Sequence, residues 1–394
     1  MSAPQTFPAE LLSRPAAERV AYFRQMAIRH PRLGDVYERV IQAIREPAGA
    51  GLIVVYGPSG VGKTTLRLRV QRQLIETTRA ELEQDPGRLA VVGLEAVAGE
   101  SGDFNWRDFY TRMLRAMDEP LIERKVVYAA PGAPRTVSRS AAVNARATAP
   151  ELRHAVEQAL HHRRPAAVLI DEAQHLKRIA SGRRLLDQLD TLKSLASLTG
   201  VVHVLLGTYE LLALTNLSGQ LNRRTIDVHF PRYHADRPDD VAAFQTVVRS
   251  LQHHLPVRDV PELGERWEAL YEGSVGCVGV LKDWLTRGLA QALEHGGEKL
   301  SYAHLEAQAL SRTKLLQMAR ENKEGEERLA EPARTATELR ALLGMGAEDP
   351  GTGAGVGHST GAAPPAGAAG RRARRRVGER RPTRDAVGGL EHAG

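Results

Sequence analysis

One octapeptide constrains this chain more than any other feature. Gly57-Pro58-Ser59-Gly60-Val61-Gly62-Lys63-Thr64 has the spacing G-x-x-x-x-G-K-T, and Thr65 follows it. An apolar run, Leu52-Ile53-Val54-Val55-Tyr56, precedes the motif, and a helix-compatible stretch from Leu66 to Ile75 follows. A strand, a Gly-rich loop and a helix in that order make a phosphate loop. The glycines let backbone N–H groups turn inward at phosphate oxygens. The helix adds the positive end of its dipole. Lys63 supplies a point charge for the β- and γ-phosphates, and the Thr64 hydroxyl can ligate Mg²⁺. ATP and Mg²⁺ are the expected ligands.

At 394 residues the chain has room for two domains, or for one large one with appendages. Cys277 is the only cysteine, so no intrachain disulfide can form, as suits a reducing cytoplasm. No apolar run of 18 residues and no signal-like N-terminus occurs, so a soluble cytoplasmic protein without membrane association is expected. The net charge of +7 is unevenly spread. From Gly351 onward eight arginines face Glu379, Asp385 and Glu391, a contribution of +5. Such a basic tail suits a polyanionic partner or serves solubility.

Periodicity divides the chain into four parts. Residues 1–50 read as two helices separated by Pro31. Residues 51–236 alternate strands (52–56, 89–97, 166–170, 201–206) with helices (63–84, 104–117, 150–162, 185–198), the pattern of a parallel α/β sheet flanked by helices. Residues 128–149, rich in Ala, Pro, Ser and Arg, read as a surface excursion. Residues 237–320 read as a small all-α lid, with helices near 238–254, 262–272, 277–295 and 301–319. Residues 321–394 read as a helical fragment, then a disordered basic tail too poor in apolar residues to order.

Val168-Leu169-Ile170-Asp171-Glu172 ends an apolar strand with two acids. Asp171 is placed to hold Mg²⁺ through water, and Glu172 to orient or deprotonate the attacking water. Gly207-Thr208 closes the next strand, and the Thr208 hydroxyl either contacts the γ-phosphate or caps a helix. Asn222-Arg223-Arg224 is either an arginine finger acting on a neighbour's ATP or a solvated basic turn.

These blocks together resemble the AAA+ ATPases, and among them the TniB/TnsC transposition regulators. The resemblance spans about Leu11 to Leu293. It rests on the lead-in Ala27-Ile28-Arg29-His30-Pro31, the phosphate loop, Asp171-Glu172-Ala173-Gln174-His175-Leu176, Gly207-Thr208 and Gln220-Leu221-Asn222-Arg223-Arg224. It implies an AAA+ P-loop fold with an α-helical lid, and ATPase activity, which the departure at the lid arginine makes slow. It also implies an ATP-dependent homo-oligomer, ring or helical filament, on double-stranded DNA. Such an assembly would recruit and activate a DDE transposase, with a target-selection protein or an RNA-guided complex as a further partner. By the same resemblance Lys63 and Thr64 match the loop, Asp171 the Mg²⁺ acid, Glu172 the base, Thr208 the first sensor, and Arg223 or Arg224 the finger. The family's lid arginine has no direct counterpart: either Lys282 takes its place or that sensor is absent. DNA contacts are expected from the pore side, where Arg107, Lys125, Arg135, Arg139 and Arg146 are available, or these are ordinary surface charges. A replication-initiator-like or signalling AAA+ ATPase acting on a protein partner is the competing reading, and a nucleotide-binding scaffold without turnover is a third.

Overall fold

A computed structural model of the chain describes residues 6–99, 104–125, 147–177, 183–212, 224–294, 296–330 and 338–345. Residues up to Pro332 form one compact unit and Ala333–Gly394 a second. The described part of the second unit is a helical stretch at 338–342, with Leu339, Leu342, Leu343 and Met345 exposed.

The first unit is built on five parallel strands: β1 (Leu52–Tyr56), β2 (Val92–Glu95), β3 (Ala167–Asp171), β4 (Val202–Gly207) and β5 (Thr225–His229), in the order β2-β3-β4-β1-β5. Parallel pairing requires crossovers, and their helices cover both faces. Of the helices before the lid, α1 is Ala16–Gln25, α2 Pro31–Arg45, α3 Lys63–Thr77, α4 Arg79–Gln84, α5 Trp106–Ala116, α6 Ala149–Arg163 and α7 Arg183–Thr199. The period-2 alternation of β1 sorts its side chains. Leu52, Val54 and Tyr56 join the core under α5, α6 and α7, while Ile53 and Val55 join the core under α2 and α3. Two readings change here. The helix expected over 63–84 breaks at Thr78, whose hydroxyl bonds the Leu74 carbonyl. A fifth strand, β5, follows Arg224, and its polar alternation reflects its place at the sheet edge.

The lid helices are α8 (Pro238–His253), α9 (Trp267–Ser274), α10 (Val278–Leu293) and α11 (Tyr302–Ala307). They share one core with α1, through Phe23, so the two N-terminal helices part company: α1 packs on the lid and α2 on the sheet. The single helix expected over 301–319 is two. Ser301 caps α11, Ser311 caps a longer helix, α12 (Arg312–Leu329), and α12 runs well past the expected boundary. Residues 128–146 of the expected excursion and the basic tail lie outside the described residues; Ala147 and Thr148 lead into α6, which Thr148 caps and Ala149 opens.

Two buried imidazoles and one half-buried one make the fold sensitive to acid. Burial lowers His30, His203 and His229 each to about 4. Their ordinary value is near 6.5, so the folded state prefers them neutral. The stability they contribute is complete above pH 6.5 and lost as pH falls from 6.5 towards 4, on the order of 1–3 kcal/mol each. The urea midpoint is expected to drop steeply over that interval, and H203L to flatten the drop. A midpoint constant from pH 7.5 to 4.5 would show that these rings accept protons inside the fold.

Candidate nucleotide site

β1 ends at Tyr56, and the loop Gly57–Gly62 carries the chain into α3. Gly60 and Gly62 hold positive φ (74° and 115°), which a side chain would strain, and Gly62 is the N-cap of α3. Lys63 is 7 % exposed, and its ammonium donates to the carbonyls of Gly57 (3.1 Å) and Pro58 (2.8 Å). Burial lowers it to about 8, with Glu172 opposing that shift. A cation held against the inner side of the loop is in place for phosphate oxygens.

Asp171 closes β3 and is 4 % exposed. Its Oδ2 accepts from Arg67 Nε at 3.3 Å, and its Oδ1 from the Glu172 amide at 3.0 Å. Arg67 stands one turn after Lys63, on the same face of α3. Glu172 has a left-handed backbone (φ 51°), an uncommon conformation for a non-glycine residue and one found at working sites. Gln174 then spans the site: its Nε2 donates to Glu172 Oε2, and its Oε1 accepts the Thr208 amide at 3.2 Å. Thr208 follows β4, the strand between β3 and β1, so it sits between the acids and the loop. Its Oγ1 is buried and has no hydrogen-bond partner.

The lid closes directly on the loop. The Gly279 amide donates to the Gly60 carbonyl at 2.8 Å, and a Cβ on Gly279 would lie 2.5 Å from that oxygen. Beside this contact a cleft is lined by Met26, Ala27, Ile28 and His30 of the lead-in, Gly62 and Thr65, and Val278 of the lid. Lys282 also borders it, but its ammonium donates to the carbonyls of Arg24 (2.7 Å) and Met26, at the end of α1. Of the two alternatives for the lid sensor, these contacts favour its absence. Lys282 ties α1 to the lid, because the carbonyls at a helix C-terminus draw a cation, and Lys63 is the cation at the phosphate loop.

The remaining expected residues lie elsewhere. Arg224 immediately precedes β5; its carbonyl accepts from the amides of Gly51 and of Leu52, the first residue of β1, and its guanidinium donates to Ser197 Oγ at 3.5 Å. The five residues of β1, roughly 17 Å, separate it from the phosphate loop of its own chain. Arg223 lies outside the described residues, as do Arg135, Arg139 and Arg146. Arg107 donates to the Ala147 carbonyl and pairs with Glu123, and Lys125 pairs with Glu119. Two further residues meet the acids. Arg67 carries no motif, and its one-turn spacing from Lys63 is its only signal; Gln174 stands in the Asp171–Leu176 block.

The phosphate-loop residues, Asp171 and the Thr64 hydroxyl suit Mg²⁺, which uses few protein oxygens and keeps water and phosphate as its other ligands. Among the described residues no cluster of three or more His, Cys, Asp or Glu offers an all-protein metal cage.

Residues 45–215 match the family model of the AAA domain, a stretch that holds the phosphate loop and both acids. The fold as a whole is AAA+-like. No curated protein matches the sequence. Solved structures similar in outline include the ORC2 protein of Aeropyrum pernix in its ADPNP–ADP complexes, 17 % identical over 75 % of this chain and 73 % of that one, with a TM-score of 0.46. The ORC1 protein of the same organism in complex with DNA is 15 % identical over 78 % and 70 %, with a TM-score of 0.47. Domain III of the replication initiation protein DnaA of Thermotoga maritima is 15 % identical over 73 % and 94 %, with a TM-score of 0.41. Among the described residues no helix is long and apolar enough to cross a membrane.

Proposed function

We propose that the chain is a slow ATPase that uses ATP to assemble on duplex DNA and regulates DNA transposition, presenting the assembly to a DDE transposase. The observation that carries the ATPase part is the convergence of Lys63, Asp171, Glu172 and Thr208 at one end of the sheet. In this reading the cleft beside Ala27 and Ile28 takes the nucleotide base, and Lys63 holds the β- and γ-phosphates. Glu172, aimed by Gln174, takes the proton of the attacking water. Bound Mg²⁺ would supply charge neutralisation at the phosphates, held by Thr64 and, through water, by Asp171. The Gly279–Gly60 contact lets the lid respond to what the loop holds. In the same reading Arg223 or Arg224 acts on the nucleotide of a neighbouring protomer, since Arg224 is a strand length from the loop of its own chain. The transposition part rests on the sequence resemblance in the lead-in and the Asp171–Leu176 block.

The competing reading, an initiator-like or signalling ATPase acting on a protein, is favoured by one observation. The two described residues expected at DNA, Arg107 and Lys125, are already paired with acids of the same chain. Electron microscopy and salt titration with duplex DNA and a slowly hydrolysed ATP analogue decide between them. Ordered rings or filaments that need the nucleotide, and DNA affinity that falls steeply with salt, are expected. Addition of a DDE transposase should yield a ternary complex. Assembly without DNA dependence, or DNA binding equal without nucleotide, would favour the protein-directed reading.

A further inference from the structure

Two crossings of the chain between the sheet and the lid touch each other. The first is the strap between α1 and α2. Phe23, Met26 and Ile28 pack in or against the lid core, whereas Leu33 and Val36 of α2 join the core under α2 and α3. The second leads from β5 to α8: Phe230 belongs to the core under α2 and α3, and Tyr233 to the lid core. His30, where the strap meets α2, brings its Nδ1 to 3.1 Å from the Tyr233 hydroxyl, and its ring centre lies 6.4 Å from that of Phe230.

The cleft read as the base site lies beside these crossings. Leu33, Gly62 and Thr65 form its sheet side, and Met26, Val278 and Gly279 its lid side. Its volume is about 50 Å³, which holds a water or two, whereas ligand pockets exceed roughly 300 Å³. A base therefore enters only as the two sides part. The lid side is itself made of two stretches, the strap and the first turn of α10, and Lys282 fastens one to the other. From the second turn of α10 its ammonium donates to the carbonyls of Arg24 and Met26. Carbonyls at a helix C-terminus lack partners within the helix, and hydrogen bonds from a cation are the strong kind. The Gly279 amide, one turn before Lys282, holds the Gly60 carbonyl. One stretch of α10 thus grips the phosphate loop at one end and the strap at the other.

We infer that Lys282 is a positioning residue for the nucleotide base: it locks the strap to α10, so that Met26, Val278 and Gly279 close on the base as one wall. The inference rests on the reading of this cleft given above. Lys282 works through the strap and not through a phosphate, since its ammonium is turned to the Arg24 and Met26 carbonyls. The two lysines then govern opposite ends of the ligand. Lys63 answers to the phosphate chain, and Lys282 to what the strap covers. While the clamp is made, the strap leaves the base only together with the lid, and that motion also breaks the Gly279–Gly60 bond. Without the clamp the strap moves aside on its own at Arg29, which is exposed, and the base has a second way out. What is lost is the preorganised wall, so any nucleotide that carries a base dissociates faster.

The test uses the full chain with Mg²⁺ and three probes: fluorescent ADP, a fluorescent, slowly hydrolysed ATP analogue, and inorganic tripolyphosphate, a competitor without a base. Lys282→Met keeps the apolar stem and removes the cation. It should lower affinity for ADP and for the ATP analogue by the same factor, roughly tenfold, the size of a hydrogen bond to a charged group. The loss should appear as faster dissociation, and affinity for tripolyphosphate should stay within about twofold, because Lys63 is untouched. In the unaltered protein, ADP should slow hydrogen–deuterium exchange over residues 22–29 and 278–290 together. In the variant only the second stretch should slow at saturating ADP. A loss confined to the triphosphate, an equal loss for tripolyphosphate, or no loss would overturn the inference. So would exchange over 22–29 that ADP leaves unchanged in the unaltered protein, a result that does not depend on the variant folding. If the unaltered protein binds tripolyphosphate as tightly as the ATP analogue, the cleft is not the base site. If it binds none of the three, the nucleotide reading itself fails, and the role of Lys282 with it.

Discussion

Replacing Lys63 by alanine is expected to lower ATP affinity by an order of magnitude or more. Lys63 is buried and donates only to loop carbonyls, so its charge is held in place for a ligand rather than spent on an ion pair. The same burial makes the affinity depend on pH. In the free protein the ammonium is lowered to about 8. Phosphates beside it stabilise the charged form, so binding above pH 8 takes up a proton. Affinity of the unaltered protein should therefore hold below pH 8 and weaken as pH rises beyond it, and Lys63→Ala should lack that slope. Titration with a fluorescent nucleotide measures both effects. Equal ATP affinity in the variant would sink the assignment of the loop.

What was legible in the sequence follows from how each element is stabilised. β1, β3 and β4 are buried at every position, so they read as continuous apolar runs bounded by turn residues. Asp171 and Glu172 at the end of β3 and Thr208 after β4 stood out as candidates because strand ends place chemistry at predictable points. β5 escaped because an edge strand needs only one apolar face. Thr225, Asp227 and His229 alternate with Ile226 and Val228, and the strand is fixed by its register on β1 rather than by its own pattern. The extent of α12 escaped for a related reason. Its composition is polar, and what orders its last turns is tertiary: the Arg232–Glu326 fork and the fit of Gly325 on Tyr209. The partners of Lys282 were not legible, because the α1 carbonyls that hold its ammonium lie 258 and 256 positions earlier in the chain. Gln174 was visible but mute, since its two partners are the residue two before it and one thirty-four positions later.

That bridge sets up the largest expected effect on catalysis. Glu172→Gln should retain ATP affinity and lose turnover by at least about 100-fold, the lower end of what a positioned general base contributes. The substituted amide has the same shape and can still accept from Gln174 Nε2, so the link through Gln174 to the Thr208 amide is preserved. The left-handed backbone at this position is likewise indifferent to the exchange of an oxygen for an NH₂ group. What is lost is the capacity to take a proton. The variant should then hold its nucleotide as the triphosphate, and the proposed assembly on DNA should outlast that of the unaltered protein by a similar factor. Single-turnover hydrolysis and the dissociation rate from labelled duplex DNA measure the two effects separately. Turnover unchanged would make Glu172 a structural group whose charge tunes Lys63. Turnover lost together with ATP affinity would mean that the substitution has disturbed the phosphate loop itself, against the geometry that keeps Glu172 bonded to Gln174.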